Sequence, residues 1–323
     1  MLQHINESIK SQVGSHALGQ ETVTSLALAA FLAGGHILLS GPTGLGKTVW
    51  AKSFAGALGL DYGSAIITEG LMSEGFFSTM ARDMQDPQQF ISRPGALFSP
   101  VFYADFHLAD SQPQADLSHT LMQMLNQAQM RTQFYALSHM IAAMDREHSS
   151  LTGFGPETFA LPETQFIIAS CNNSAALPTS LTDRFMMKIY INYPGVAAEK
   201  QLLINHHENT PAEQLVPVFT PETIAQAKQE VQSVAVEGQI FNYIISMIET
   251  TRRASAIQIG ASPRAGISLL QAAKAYAAIS GRDYVTINDV QCMAIPVLRH
   301  RITLNPDVVK EGIHADRIIE KLF

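Results

Sequence analysis

The chain has 323 residues, of which 46% are hydrophobic and 15% charged, with a formal net charge of −7. That length exceeds one typical domain, so two are expected, with enough apolar residues for a sizeable core. Nucleic acid is not expected as the main partner, because holding a phosphate backbone takes a basic stripe, and Arg252-Arg253 and Arg299-His300-Arg301 are too short to form one. Cys171 and Cys292 stand far apart in no metal-ligand spacing, which points to a reducing compartment and not to a disulfide framework. The histidines form no ligand cluster; His206-His207 is the only adjacent pair, and neighbours on a helix point apart.

Residues 1–19 read as a helical lead-in with a turn near Gly14, and Gln20 to Ala33 as a helix. The apolar run Val23 to Leu39 is cut by Gly34-Gly35, so a helix followed by a strand fits it better than a membrane span of about 20 residues. Glu7 and Glu21 precede it without a basic cluster, so no signal peptide is expected. A soluble, cytoplasmic protein is expected.

The most informative stretch comes next, His36 to Thr48. Ile-Leu-Leu-Ser reads as a short buried strand, and Gly41 to Thr48 match G-x-x-x-x-G-K-[ST], the phosphate-binding P-loop. Gly41, Gly44 and Gly46 allow a sharp turn whose N–H groups approach phosphate oxygens closely. Lys47 has the reach for the β- and γ-phosphates, the Thr48 hydroxyl suits Mg²⁺, and the helix expected from Val49 to Leu58 points its positive end at the same anion. The expected ATP-binding set is therefore Gly41, Pro42, Thr43, Gly44, Leu45, Gly46, Lys47, Thr48 and Val49.

Further strands are expected at Ala65–Thr68, Pro100–Asp105, Gln165–Ser170 and Lys188–Asn192. Residues 69–98 form an insertion in which Met72, Phe76, Phe77 and Met80 have the spacing of one helical face, ended by Pro87, Pro94 and Gly95. Asp105 closes its strand, and in parallel sheets ligands gather beyond the carboxyl ends, so it is expected to serve Mg²⁺ beside Thr48. Helical patterns cover Asp116–Arg131 and Gln133 to about His148, with a turn at Thr152–Pro156. Asn172 follows the next strand, and Asp183-Arg184-Phe185 precedes the last one. After Pro194-Gly195 the chain is nearly all helical in pattern, with Ser262 and Pro263 opening one helix.

A P-loop, a strand-end Asp, a strand-end Asn, a later Arg and a helical C-terminal part resemble the AAA+ layout. More narrowly, the chain resembles MoxR-type AAA+ ATPases of the helix-2-insert clade over nearly its whole length. The stretches that carry this are Gly35 to Leu39, Thr182 to Ile189, Gly260-Ala261-Ser262-Pro263-Arg264-Ala265, Gly281 to Thr286, and Pro296 to Arg301. The resemblance implies an αβα sandwich on a parallel sheet over residues 1–193, with the helix-2 insert at about 69–98, and a smaller all-α lid over 194–323. It implies that Asn172 is sensor 1, that Arg264 is sensor 2, and that Arg184 is an arginine finger acting on a neighbour in a ring, usually a hexamer. Relatives of this type are linked with remodelling or maturation of a protein client, often one with a von Willebrand factor A-type domain.

One departure bears on the chemistry. The family usually carries Asp-Glu at the end of its Walker B strand, and here the pair is Asp105-Phe106. A positioned general base is worth roughly 10² to 10⁴ in rate, about 3–5 kcal/mol of barrier. Binding is expected to survive and hydrolysis to be slow unless His107 or Asp110 substitutes. Two functions follow: a slow ATP-driven machine, or a scaffold gated by ATP without turnover. Residues 133–163 also exceed the short hairpin expected there, so an extra helix is expected.

Overall fold

The computed structural model describes residues 1–68, 75–76, 78–82, 90–107, 139–145, 150–152, 158–172, 177, 179–208 and 214–322. Five parallel strands make the central sheet: β1 (Ile37–Ser40), β2 (Tyr62–Thr68), β5 (Val101–His107), β8 (Phe166–Cys171) and β9 (Met187–Tyr190), in the order β2-β5-β8-β1-β9. The inner strands β1, β5 and β8 are largely apolar, as a parallel sheet covered on both faces requires. Alternation then sorts the side chains. Leu39, Tyr103, Phe166 and Ile168 join one buried cluster with the N-terminal and C-terminal helices, while Leu38, Phe102, Phe106 and Ile167 join a second cluster on the opposite face.

Helices Leu2–His16, Glu21–Leu32 and Lys47–Leu58 lie on the first face. Trp50, fully buried, stacks on Phe54 at 5.1 Å and donates its indole N–H to Thr24 Oγ1 at 3.1 Å, so the P-loop helix is bonded to the helix before it. The C-terminal helices Pro221–Ser233, Gly238–Arg253, Pro263–Ile279 and Ile287–Leu298 contribute to the same cluster. The helical part is therefore packed continuously with the α/β part.

Several expectations need correction. The first helix runs through Gly14 to His16, and the turn falls at Gly19, whose φ is 77°. In the insertion the helical spacing does not hold at Met80, which lies in β3 (Ser78–Arg82), paired antiparallel with β4 (Phe90–Pro94), while Met72 and Phe77 lie outside the described residues. A short apolar run satisfies either period, and for Met80 pairing decides between them. Residues 139–145 are helical, but β6 (Ser150–Thr152) and β7 (Thr158–Ala160) then pair antiparallel, so a hairpin is present as well. The expected helix at Asp116–Arg131 and most of the turn at Thr152–Pro156 lie outside the described residues. A last pair, β10 (Ile257–Ile259) with β11 (Thr303–Leu304), interrupts the helical C-terminal part. Among the described residues no helix is long and apolar enough to cross a membrane.

The helix Ile287–Leu298 is held by a reciprocal cap. Asp289 is fully buried and accepts from the Thr286 N–H at 2.8 Å and hydroxyl at 2.7 Å, and from both Arg282 guanidinium nitrogens at 2.5 and 2.6 Å. Burial alone would push its carboxyl up, but the Arg282 and Thr286 bonds outweigh it and hold the carboxyl below the usual range. A carboxyl lowered in the folded state stabilises the fold above its unfolded value of about 3.9 and stops doing so as the pH falls through the folded value. Asp289→Ala is expected to cost about 3 kcal/mol near neutral pH. That gap should narrow below about pH 4, which denaturant titrations at the two pH values would check.

Candidate nucleotide site

Strand β1 ends at Ser40, and the helix Lys47–Leu58 begins with Gly46 at its N-cap. Gly44 and Gly46 have φ of 83° and 74°, a region costing about 1–2 kcal/mol for a residue with a Cβ. Gly41 is required for another reason, since a Cβ there would lie 2.4 Å from the Ile191 carbonyl oxygen. At Gly44 and Gly46 nothing lies within 4 Å of that place. One side of the turn is thus pressed against the chain after β9 while the other is open, lined by turn N–H groups and the free donors of a helix start. That is an anion cradle.

Lys47 is 8% exposed. Its Nζ donates to the Gly41 and Pro42 carbonyls at 3.0 and 2.8 Å and to Asn172 Oδ1 at 3.5 Å. Burial lowers its pKa, and the nearby Asp105 opposes this. Asn172 follows the last residue of β8, as expected. Asp105 is not the end of its strand: β5 continues through Phe106 to His107, which pairs in register with Thr68. Asp110 lies outside the described residues.

A chain of hydroxyls links the two Mg²⁺ candidates. Thr48 Oγ1 donates to the Tyr103 hydroxyl at 3.4 Å, Tyr103 and Ser170 Oγ are 2.8 Å apart, and Ser170 Oγ donates to Asp105 Oδ1 at 2.5 Å. Burial raises the Tyr103 pKa, so the phenol stays protonated and can pass its hydrogen to Ser170. Sequence patterning did not single out Tyr103 or Ser170. Period-2 spacing along β5 and the Asp105↔Ser170 register bring them to the site.

Phe106 points the other way. It is 2% exposed and belongs to the cluster with Phe102, Leu97 and Ile167 on the opposite face from Tyr103.

Beside the turn is a cavity of about 450 Å³, walled by Leu18 and Gln20, by Thr43 to Gly46 with Val49, and by Tyr193 and Leu202. Its walls come from three distant segments, so no local motif announces it. Leu202 stands on the helix Val196–His207, which has no buried residue of its own.

The two other candidate arginines are paired. Arg184 Nε and Nη2 meet Asp145 Oδ2 at 2.8 and 2.7 Å. Arg264 Nη1 lies 3.6 Å from Asp183 Oδ2. A third arginine was given no role of its own in the sequence: Arg301, 8% exposed, bonds to Asp183, Phe185 and Met186. Its neighbour His300 meets the Phe185 carbonyl at 2.9 Å, and burial, with Arg301 adjacent, holds its pKa well below the ordinary histidine value.

A parallel sheet with helices packed on it and a glycine turn between β1 and a helix N-terminus is the P-loop nucleoside triphosphatase fold. Comparison with known proteins narrows this. The model for the ATPase family associated with various cellular activities (AAA) matches residues 37–193, and the AAA lid domain model matches 249–322. The Bacillus subtilis protein YeaC, itself uncharacterized, is 30% identical over 95% of this chain and 89% of its own length. Chaperone MoxR1 of Mycobacterium tuberculosis is 26% identical over 99% of this chain and 81% of its own. A crystal structure of a Cytophaga hutchinsonii protein, provisionally named an ATPase, is 26% identical, covers 99% of this chain and 94% of that one, and superposes with a TM-score of 0.81. The chain belongs to the MoxR-type AAA+ ATPases, a family that binds and hydrolyses nucleoside triphosphate.

The two kinds of glycine in the turn should separate on substitution. Gly41→Ala drives a Cβ into a backbone oxygen and is expected to cost about 2–3 kcal/mol, whereas Gly44→Ala, strained only through φ, should cost about 1 kcal/mol. Urea midpoints of the two variants would test the order.

Proposed function

We propose that this chain binds Mg·ATP in the Gly41–Val49 turn and works in a cytoplasmic ring of identical subunits as a chaperone-like machine that turns ATP over slowly. The observation that carries this is the convergence of Lys47, Asn172 and the Thr48–Tyr103–Ser170–Asp105 chain near the carboxyl ends of β1, β5 and β8. Lys47 exchanges the Gly41 and Pro42 carbonyls for β- and γ-phosphate oxygens, a stronger, charge-assisted partner. Thr48 and Asp105 hold the Mg²⁺, which neutralises charge developing on the phosphates. Asn172 orients the attacking water, Arg264 contacts the triphosphate, and Arg184 acts on the neighbouring subunit's nucleotide. The base enters the cavity walled by Leu18, Val49, Tyr193 and Leu202.

Phe106 supports the slow-turnover half of this reading. A side chain 2% exposed in an apolar cluster can neither take a proton nor align a water. Against an ordinary turnover of about 10 per second, loss of the base leaves on the order of 10⁻³ to 10⁻¹ per second. The same observation favours a second reading, a scaffold whose subunits lock on ATP without hydrolysing it. The client in either case is a protein, with a von Willebrand factor A-type partner as the first to try.

A phosphate-release assay separates the readings. Turnover in the stated range, abolished by Lys47→Ala, supports the machine; tight binding without release supports the scaffold; and no heat of binding with Mg·ATP would sink both. Phe106→Glu does not restore a base, because the new carboxylate enters the apolar cluster. It is expected to destabilise the protein by about 3–5 kcal/mol with no gain in turnover, and a rate increase in a stable variant would contradict this placement.

A further inference from the structure

Asp183 stands at the end of the short helix Thr179–Thr182, one residue before Arg184. Two arginines meet its carboxylate in different ways, Arg264 from the first turn of the helix Pro263–Ile279 and Arg301 from the turn after the helix Ile287–Leu298. The Arg301 side chain is 1% exposed. Its Nε reaches Asp183 Oδ1 at 3.3 Å, Nη1 donates to the Met186 and Val297 carbonyls at 3.2 and 3.1 Å, and Nη2 donates to the Asp183 and Phe185 carbonyls and Ser268 Oγ at 3.0, 2.9 and 3.1 Å. Every nitrogen of that fork is used, and displacing it would strand several buried acceptors. Among the described residues Arg264 makes one ionic contact, 3.6 Å to Oδ2, with its side chain 49% exposed and the Asp183 side chain 34% exposed. That is beyond hydrogen-bond length and well hydrated, so it costs little to break.

One carboxylate therefore carries a fixed arginine and an exchangeable one. Resting on the proposal that Arg264 contacts the triphosphate, we infer that Asp183 is a positioning residue: it holds Arg264 away from nucleotide, and release of Arg264 to a bound triphosphate is passed through the turn to Arg184. A triphosphate offers several charged oxygens to the guanidinium fork and outcompetes one exposed carboxylate. Arg301 makes the transfer directional. It ties the Asp183–Met186 backbone to the helices carrying Arg264 and Val297, so a change in charge on Asp183 is felt by a turn that cannot drift independently. Arg184, next in the chain, is itself held by Asp145 at 2.7 Å, a contact that any shift of the turn must strain or release.

The test is a double-mutant cycle in nucleotide affinity on the full-length protein, using wild type, Asp183→Asn, Arg264→Ala and the double variant, titrated with Mg·ATP and Mg·ADP. Removing the competing carboxylate frees Arg264, so Asp183→Asn is expected to tighten ATP about 3- to 10-fold and to have no effect once Arg264 is Ala. A purely structural Asp183 would change affinity equally in both backgrounds, and that result overturns the inference. Hydrogen exchange on unmutated protein gives a second measurement should Asp183→Asn fail to fold. The amides of residues 183–187 should change protection on adding Mg·ATP in wild type and not in Arg264→Ala; no change in wild type overturns the inference as well. If wild type binds no nucleotide at all, the nucleotide proposal itself fails, whereas intact binding with an additive cycle removes only the role of Asp183.

Discussion

The register of three parallel strands is the constraint from which the site follows. Ser40 pairs with Cys171, Asp105 with Ser170, and Phe106 with Cys171, so β1, β8 and β5 end at nearly one level. Whatever the chain places at those ends must share a crevice: the glycine turn after Ser40, the carboxylate near the end of β5, and Asn172 after Cys171. A slip of one residue in β5 would turn Asp105 into the apolar cluster and Phe106 toward the P-loop. The apolar burial on both faces forbids the slip, because Tyr103 with its hydroxyl partners and Phe102 with its apolar ones would exchange places.

The same alternation explains how the sequence Asp105-Phe106 is accommodated. Adjacent residues in a strand face opposite sides. Asp105 is therefore tied to Ser170 and through it to Tyr103 and Thr48, while Phe106 fills the second core. The carboxylate is kept in position by the first face, and the large aromatic adds burial to the second. Chemistry that depends on a carboxylate at position 106 is not available from this packing.

The helical C-terminal part is joined to the sheet by packing and by one buried cation. Arg301 is pushed down to a pKa of about 10 by burial, with Asp183 opposing the shift, and so remains charged at neutral pH. A buried charge is weak evidence for added stability, but it is strict about geometry, since an ill-placed partner leaves it unpaired. Here the partners are backbone carbonyls of Asp183, Phe185 and Met186, so it specifies the position of that turn and, with it, the start of Arg184.

The sequence alone determined the P-loop, the parallel α/β class, the place of Asn172 just past its strand, and the family, because each is written in contiguous residues whose spacing is set by backbone geometry. The glycine spacing, the apolar strand runs and the Gly260–Ala265 stretch needed no partner to be recognised. Tertiary structure decided what depends on residues far apart in the chain. It paired Ser78–Arg82 with Phe90–Pro94 inside the insertion, carried β5 past Asp105, sent Phe106 into the core, and walled a cavity from three segments. It also drew Arg301 out of a short basic run and placed it, with Arg264, on Asp183. Pairing, burial and ion contacts across more than a hundred residues carry no local signature, because their energy exists only once the distant partner is in place.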